Sequence, residues 1–537
     1  MMFWVRLLIK ILSLGIDLLT KLYYTFFLNK YEEILLGIFN KDKDKNTTKD
    51  LKILVQTIED IYYYTLFGTI IKSLNKSNNI QVEQYVPRNL TLGATSTVSS
   101  FLKSILLNNR FRDNKWIKLY STYSDSVAYK HEGSTSLIFN IKSFFKAYKI
   151  FKSIKYKNDL ILLSIDNINV GDLIYDSYLR FKPSATVKID DFYLCIILWQ
   201  TIRNIKVTKD YFNKNKPDVL LTSYGTYIQH GIAVRIAVLY NTKVYSFGNY
   251  QNYSKQLDIN DTYHTANFKN YKNDFNKLEN KENYLDKSRE ALNGRINGKK
   301  DLATSYMKQS AYKVSNEKMP NVKDKIIIFM HDFFDSPHIY GDMVFSDFLE
   351  WIEFTIETLE RYNIPYCLKP HPNQIKDSEK AVQKLKQKYP NTQFISSKIT
   401  NKQLVNGNIK VGISLYGSVA HELVYMGVPV ILSGANPHSS YDFCFEAKNK
   451  NEYENYIKNY MDLSIPIDYK KQIESFYYMH NLNKSDDEIV LNRILGNLRK
   501  INVLKSEKDL SYVKEQMDLI LKNKAFKSFN TNLLGEV

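Results

Sequence analysis

The sequence predicts an α/β protein made of two Rossmann-like domains that face each other across a cleft. Short apolar runs rich in β-branched residues alternate with amphipathic helical segments, and the connections between them are short. The runs are nearly continuous in apolar residues, as expected for parallel strands that are buried on both faces. Open parallel sheets bind ligands beyond the carboxyl ends of their strands. We therefore expect the functional residues in the loops that follow the strands.

The second half of the chain shows this alternation most clearly. Strands are predicted at KIIIFM (325–330), IPYCLK (364–369), TQFIS (392–396), NIKVGISL (408–415) and VPVILSG (428–434). Helices are predicted at 345–362, 377–389 and 418–426, and the chain beyond 450 is predicted to be helical to its end.

The first half contains a strand–helix–strand unit. DVLLTS (218–223) and KVYSFG (243–248) are predicted strands, and 231–240 is the helix between them. DLILLSID (159–166) is predicted as a further buried strand, and the polar stretch 30–50 as a linker. The predicted organisation is an N-terminal helix and linker (1–50), a first Rossmann-like domain (51–265), a connector (266–323), a second Rossmann-like domain (324–490) and C-terminal helices (491–537).

Composition limits the classes of function. The 537 residues carry 74 Lys and Arg against 56 Asp and Glu, a net charge of +18. This charge favours a polyanionic partner, or it reflects a general bias toward Lys. The three cysteines are isolated in the sequence, which argues against a disulfide framework and a cysteine zinc site and favours a reducing, cytoplasmic compartment.

The N-terminus predicts an amphipathic helix. In its first 27 residues the polar side chains fall within one stripe at helical spacing, and the rest of the surface is apolar. Such a helix lies in a membrane interface or packs on the protein's own core. The sequence has no run of 18 uninterrupted apolar residues, so a spanning helix is not predicted. A peripheral position on the inner face of the cytoplasmic membrane fits this pattern.

Three predicted strand ends of the second half are followed by polar residues that suit a nucleotide ligand. The candidates are His331 after the first strand, Lys369, His371 and Asn373 after the second, and Tyr416, Gly417, Ser418 and Glu422 after the fourth. Gly417 lets the backbone approach a ligand, and Ser418 either caps the next helix or donates to phosphate. The prolines around His371 stiffen its loop, so that the imidazole can donate to phosphate or act as an acid. Glu422 suits a pair of ribose hydroxyls, or is a solvated surface residue.

Several enzyme classes are not supported. The chain lacks a Walker phosphate loop, a GxGxxG fingerprint, a GxSxG elbow and an HExxH motif. No nucleic-acid-binding module is apparent either, so nucleic acid is not an expected partner.

The second half resembles the nucleotide-sugar domain of GT-B glycosyltransferases. The resemblance lies in LKPHPN, followed about 45 residues later by SLYGSVAHELVYMGVPVI, and it extends over about 325–450. It is similar to bacterial enzymes of capsule and surface-polysaccharide biosynthesis, including capsular Kdo transferases and bacterial sialyltransferases. GDLIYDSYLR and HGIAVRIA resemble elements of the acceptor-side domain.

The resemblance implies roles for individual residues. His371 and Ser418 would meet the donor phosphate, and Glu422 would hold the ribose. The acidic motif that supplies the base in sialyltransferases has no clear copy here. Asp172 and Asp176 are therefore the candidate bases, with a structural turn and a helix cap as the alternative roles. Arg180, His230 and Arg235 are the candidate acceptor-binding residues.

The expected activity is transfer of a sugar from a nucleotide-activated donor to a capsular or lipid-linked glycan, without a metal or other cofactor. An anionic membrane surface is a further expected partner. Two alternatives have the same architecture: a UDP-sugar 2-epimerase and a polyol-phosphate transferase. A third alternative is a non-catalytic protein that binds anionic lipid or glycan.

Overall fold

The protein is described from a computed structural model. The structure describes residues 27–39, 51–75, 79–87, 111–131, 135–182, 184–249, 252–265, 270–299, 316–339, 341, 343–371, 376–501 and 503–535. All but the last residue of the predicted amphipathic segment 1–27 lies outside these residues, and so does Asn373.

The first half contains eight strands and eight helices in its described residues. In chain order they are α1 (Lys30–Leu36), β1 (Leu51–Gln56), α2 (Ile61–Leu74), β2 (Ile80–Val86), α3 (Phe111–Tyr120), β3 (Ser126–Lys130), α4 (Leu137–Ser153), α5 (Lys157–Ile161), β4 (Ser164–Ile165), β5 (Ile168–Asn169), α6 (Gly171–Phe181), α7 (Phe192–Lys214), β6 (Val219–Thr222), α8 (Tyr227–Leu239), β7 (Lys243–Ser246) and β8 (Lys255–Leu257).

The six-stranded sheet of the first half has the order β3-β2-β1-β6-β7-β8. Its first five strands are parallel, and β8 pairs antiparallel with β7 at the edge. The central strand β1 is buried along almost its whole length, because helices cover both faces of the sheet. The prediction of a parallel sheet with helical cover is confirmed here.

The second half and its flanking helices follow. They comprise α9 (Tyr271–Lys277), α10 (Lys281–Ile296), β9 (Ile326–Phe329), α11 (Phe348–Arg361), β10 (Tyr366–Lys369), α12 (Lys376–Lys388), α13 (Asn401–Asn406), β11 (Val411–Ser414), α14 (Val419–Tyr425), β12 (Val430–Leu432), β13 (Phe445–Glu446), α15 (Lys450–Lys458), α16 (Tyr469–Tyr477), α17 (Asp486–Leu498), α18 (Glu507–Lys522) and α19 (Lys524–Gly535). The five strands are all parallel, in the order β10-β9-β11-β12-β13.

The last three helices return to the first half. Their apolar side chains join the core of α2 and α3 on one face of the first sheet. Arg499 fixes this return, because its guanidinium donates to the carbonyl oxygen of Phe247 at 2.8 Å and to the hydroxyl of Tyr62 at 3.0 Å. The predicted helical end of the chain is confirmed, and it is part of the core of the first half.

Three predicted elements differ from the structure. The predicted strand 159–166 is wrong: it is a helical turn, α5, followed by the two-residue hairpin strands β4 and β5. Asp159 causes this, since its carboxylate accepts from the backbone N–H groups of Lys155 and Tyr156 and starts a helix. The predicted strand 392–396 forms only one bridge, between Phe394 and Leu368. The predicted linker 30–50 is wrong at its start, where Asn29 and Glu32 form a capping box for α1.

The two halves are joined by buried polar contacts. Asp347, the fully buried N-cap of α11, accepts hydrogen bonds from the hydroxyls of Tyr175 (2.5 Å) and Thr186 (2.6 Å). It also pairs with the ammonium of Lys157 at 3.0 Å. All three donors belong to the first half, so these contacts hold α11 of the second half against the first half. Among the described residues, no helix has both the length and the apolarity needed to cross a membrane.

Candidate active site

The three predicted loops of the second half lie side by side. β10, β9 and β11 are adjacent parallel strands, so the residues that follow them share one edge of the sheet. We call the loops at this edge the donor rim: His331 and Asp332 after β9, His371 after β10, and 416–418 after β11. The structure brings His331 against the third of these loops, with a ring-centroid separation of 4.5 Å to Tyr416.

His331 is a neutral imidazole with a fixed tautomer. Its Nε2 donates to the carbonyl oxygen of Tyr416 at 2.6 Å, and its ring stacks on Phe348 at 5.1 Å. Burial lowers the pKa of His331 to about 4, and the nearby His371 adds to this lowering. Since Nε2 carries the proton, Nδ1 is an acceptor.

His371 is half-buried at the open side of the donor rim. Burial lowers the pKa of His371 and is the largest effect. The negative charge of Asp332 raises the pKa in part, and the positive charge of Lys369 lowers it further. The imidazole is therefore uncharged near neutral pH, and it can give or take a proton when a charged ligand arrives.

Gly417 and Ser418 form the third part of the donor rim. Gly417 has φ of +118°, a conformation that side-chain-bearing residues rarely adopt, and its N–H donates to Oδ1 of Asn436 at 3.1 Å. Ser418 is exposed, and its side chain does not cap α14. Of the two predicted roles for Ser418, helix capping is therefore wrong. Asn436 was missed, although it follows the predicted strand 428–434 and the strand-end rule would have found it.

Lys369 and Glu422 belong to a buried polar cluster. Lys369 donates to Oδ1 of Asn401 at 3.1 Å. Burial lowers the pKa of Lys369 to about 8, although the negative charge of Glu422 raises it in part. Glu422 accepts from Nε of Arg295 at 2.7 Å, and both side chains are buried. Arg295 lies on α10, in the predicted connector. The structure therefore places these two predicted donor residues inside the fold, and the predicted solvated position of Glu422 is wrong.

Asp172 and Arg235, predicted for two different roles, form one ion pair. The guanidinium of Arg235 makes two hydrogen bonds to the Asp172 carboxylate, at 2.5 and 2.6 Å, and Tyr263 donates a third at 3.1 Å. Burial would raise the pKa of Asp172, but the charge of Arg235 outweighs it and the pKa is lowered. A carboxylate held this way is a weak base.

Asp176 forms the second contact between the halves. Its carboxylate lies 2.6 Å from Nδ1 of His338, and both side chains are buried. Burial opposes the charged imidazole, but Asp176 outweighs it and raises the pKa of His338. His338 was not predicted as a site residue. Its position in the polar segment after β9 was the available signal.

His230 lies at the end of the first sheet and is bound to Gln56. The amide of Gln56 donates to Nδ1 of His230 at 2.5 Å, while its oxygen accepts from Thr222 at 2.7 Å. Burial lowers the pKa of His230 to about 4. His230 is thus neutral, with Nδ1 already occupied. The sequence did not indicate Gln56, which lies in β1, a strand that was not predicted.

Asp335 is an exposed residue in the loop that follows β9. The N–H of Ser336 donates to its Oδ1 at 3.0 Å. Desolvation raises the pKa of Asp335, and the charges of Asp332 and Asp176 add to this, while Arg180 from the first half opposes it. By contrast, the carboxylate of Asp332 already accepts hydrogen bonds from the hydroxyl of Ser378, at 2.5 Å, and from the N–H of Phe334. Asp335 was not among the residues predicted for the site.

A cavity of about 710 Å³ lies between the halves beside the ion pair. Its lining is mixed: asparagines and the Asp172–Arg235 pair come from the first half, and the loop 343–346 comes from the second half. His338 lies at its wall. Within the described residues, no group of three or more His, Cys, Asp or Glu side chains is arranged to hold a metal ion.

Comparisons with known proteins give distant structural similarity only. No protein-family model and no curated protein matches the chain. Among solved structures, it is similar to the β-Kdo 2,4 transferase KpsC of Thermosulfurimonas dismutans, at 9% identity and a TM-score of 0.29, over 48% of this chain and 79% of that one. It is also similar to Anabaena HepE in complex with UDP and glucose, at 10% identity and a TM-score of 0.24, over 87% of this chain and 98% of that one.

A UDP-GlcNAc 2-epimerase of Methanocaldococcus jannaschii, in complex with UDP-GlcNAc and UDP, is similar at 10% identity and a TM-score of 0.21. This match covers 79% of this chain and 97% of that one. At these identities and TM-scores, none of the three assigns the chain to a family.

Proposed function

We propose that the chain is a glycosyltransferase that moves a sugar from a nucleotide-activated donor to a surface glycan, capsular or lipid-linked. One observation carries the proposal: two neutral histidines, His331 and His371, lie at one sheet edge with the Gly417–Ser418 turn. The LKPHPN and SLYGSVAHEL motifs, which resemble GT-B enzymes, supply these same residues.

The donor phosphate would lie on the donor rim. The incoming anionic phosphate of the donor favours protonation of His371, because an opposite charge at close range raises an imidazole pKa. The exposed hydroxyl of Ser418 adds a donor, and Gly417 leaves room for the phosphate beside His331. The imidazolium then stabilises the charge that develops on the departing nucleotide phosphate. No step in this scheme requires a metal.

The acceptor would enter through the cavity between the halves. Its hydroxyl oxygen attacks the anomeric carbon, the bond from that carbon to the phosphate oxygen breaks, and the hydroxyl proton passes to a carboxylate. We choose Asp335 as the base because the residue is exposed and its carboxylate accepts from a backbone N–H, whereas Asp172 is paired with Arg235 and Asp176 with His338. A raised pKa also brings Asp335 closer to the operating pH, which suits a general base.

The test is nucleotide release from a panel of CMP-, UDP- and CDP-sugars, with and without glycan acceptor. The proposal expects release that depends on the acceptor. Conversion of the donor sugar without an acceptor would favour the 2-epimerase alternative. Absence of both release and nucleotide binding would favour the non-catalytic alternative. Transfer of a polyol phosphate from a CDP-polyol to the acceptor would favour the polyol-phosphate transferase alternative.

A further inference from the structure

Helix α4 has an apolar face that the protein itself does not cover. Five of the sixteen exposed large apolar side chains in the described part of the chain lie on this one helix. Leu137 is 74% exposed, Ile138 67%, Ile141 52% and Phe145 66%, and Tyr148 is exposed as well. Scattered exposed apolar residues are ordinary, but a contiguous patch marks an interaction site.

These five side chains lie on one stripe of the helix. At about 100° per residue, positions 137, 138, 141, 145 and 148 fall within roughly a quarter of the helical circumference. The opposite stripe is used for packing: Ser143, Ala147 and Phe151 are buried toward α7. Trp199 of α7 anchors it by donating to the carbonyl oxygen of Asn140 at 3.0 Å. The exposed stripe is therefore held in place by a rigid helix.

The charge of α4 indicates which kind of partner the exposed apolar stripe would bind. The helix contains four lysines, Lys142, Lys146, Lys149 and Lys152, and no acidic residue. All four are exposed, and three of them lie beside the apolar stripe at helical spacing. The stripe is also extended by Phe192, an exposed residue at the start of α7, through its contact with Phe144.

We propose that α4 is a membrane-docking helix that lies flat on an anionic phospholipid surface. Its apolar stripe would enter the boundary between headgroups and acyl chains, while its lysines meet anionic headgroups. The charge argues against a second copy of the same stripe, because two such faces would bring their lysines together.

Helix α1, which lies near the start of the described residues, is on the opposite face of the first sheet from α4. The described chain begins at Phe27, and α1 packs with α2 and α18 on one face of the first sheet. Helix α4 packs on the other face. The docking surface is instead adjacent to the cavity between the halves: Lys146 pairs with Asp166 in the turn between β4 and β5, and the next residues of that hairpin line the cavity.

The test is sedimentation of the full chain with phosphatidylcholine vesicles, with and without phosphatidylglycerol. Ile141→Glu/Phe145→Glu is expected to lower binding to the anionic vesicles at least about tenfold, because it places charge in the apolar boundary. Lys142→Glu/Lys149→Glu is expected to lower it by about tenfold or more, and only with the anionic lipid. The matched controls in the second half, Ile467→Glu and Lys384→Glu/Lys402→Glu, should bind as the unmodified chain does.

A local probe separates α4 from other membrane contacts. An environment-sensitive fluorophore on Ile141→Cys, in a Cys444→Ser background, should brighten and shift to the blue with anionic vesicles, and one on Ile467→Cys should not. A silent probe at 141 on vesicle-bound protein would overturn the proposal. So would a probe at 141 that responds to protein concentration alone, with dimers in analytical ultracentrifugation, because the face would then belong to a second copy.

Discussion

His331 and Tyr416 tie together two loops of the second sheet: Nε2 of the imidazole donates to the backbone carbonyl oxygen of Tyr416 at 2.6 Å. The two residues lie 85 positions apart in the chain, and their rings are in contact. This bond fixes the start of the Gly417–Ser418 turn relative to the β9 strand end. The donor rim is therefore prepared before any ligand binds, which lowers the cost of binding.

Replacing His371 with Ala should lower kcat for acceptor-dependent nucleotide release by about 10²-fold, the usual contribution of a positioned acid. The thermal midpoint should change little, because His371 is half-buried at the rim. The matched control is His480→Ala, a histidine that contacts Tyr271 and Phe476 away from the rim. Equal turnover of the unmodified chain and His371→Ala would remove His371 from the mechanism.

Asp335→Asn should lower kcat by about 10²-fold and leave the unfolding free energy nearly unchanged, because this carboxylate is exposed. Asp172→Asn should instead destabilise the fold, since it leaves the Arg235 guanidinium partly uncompensated. Kinetics and denaturant titration of both variants separate the two roles. Two results together would contradict this assignment: Asp335→Asn keeps full activity, and Asp176→Asn loses activity while its stability is unchanged. The general base would then be Asp176, in the first half.

Gly417→Ala should cost about 1–3 kcal/mol of unfolding free energy, because alanine is strained at φ of +118°. It should also weaken nucleotide binding, because relief of the backbone strain at this φ would shift the turn. Gly496→Ala on α17 is the control, since its Cβ would meet open space. If Gly417→Ala is as stable and binds as well as Gly496→Ala, the turn does not hold the donor.

Arg295→Met should destabilise the protein by about 3–5 kcal/mol, because it removes the guanidinium that is hydrogen-bonded to the buried carboxylate of Glu422. Glu422→Gln in the same background should recover part of this loss, since it removes the buried charge. Urea unfolding of the single and double variants measures the coupling. Strict additivity of the two effects would show that the pair is not energetically coupled.

The contact between Asp176 and His338 should make stability depend on pH. The folded pKa of His338 is raised, so its contribution is complete below the ordinary histidine value of about 6.5 and is lost as pH rises through the folded value. His338→Gln should therefore lower the unfolding free energy more at about pH 5.5 than at about pH 9. A larger deficit at the alkaline pH would contradict the assigned protonation.

The fold of the second half was predictable because its strands are apolar throughout and its helices are amphipathic. The predicted helix 345–362 is α11, with a start shifted to Phe348 by the Asp347 cap. In the first half, the strand at Leu51–Gln56 was not distinguished in the sequence, since a short apolar run fits either a strand or a buried helical segment. For the same reason 159–166 was predicted as a strand.

The site was predictable as far as the strand ends determine it. His331, His371 and Gly417 follow β9, β10 and β11 and lie at one edge of the sheet, because neighbouring parallel strands end together. The partners of Glu422 and Asp172 were not predicted. Arg295 lies 127 residues from Glu422, and Arg235 lies 63 residues from Asp172. Pairing over such separations depends on how the helices pack, and the packing of helices cannot be read from the spacing of residues in the sequence.

Calorimetric titration of the unmodified chain, His371→Ala and Ser418→Ala with CMP, UDP and CDP tests the donor rim most directly. Our account predicts that one nucleotide binds the unmodified chain and that each substitution weakens it at least about tenfold, the loss of a charge-assisted hydrogen bond to phosphate. Equal affinity in all three proteins, or no affinity for any of the nucleotides, would contradict it.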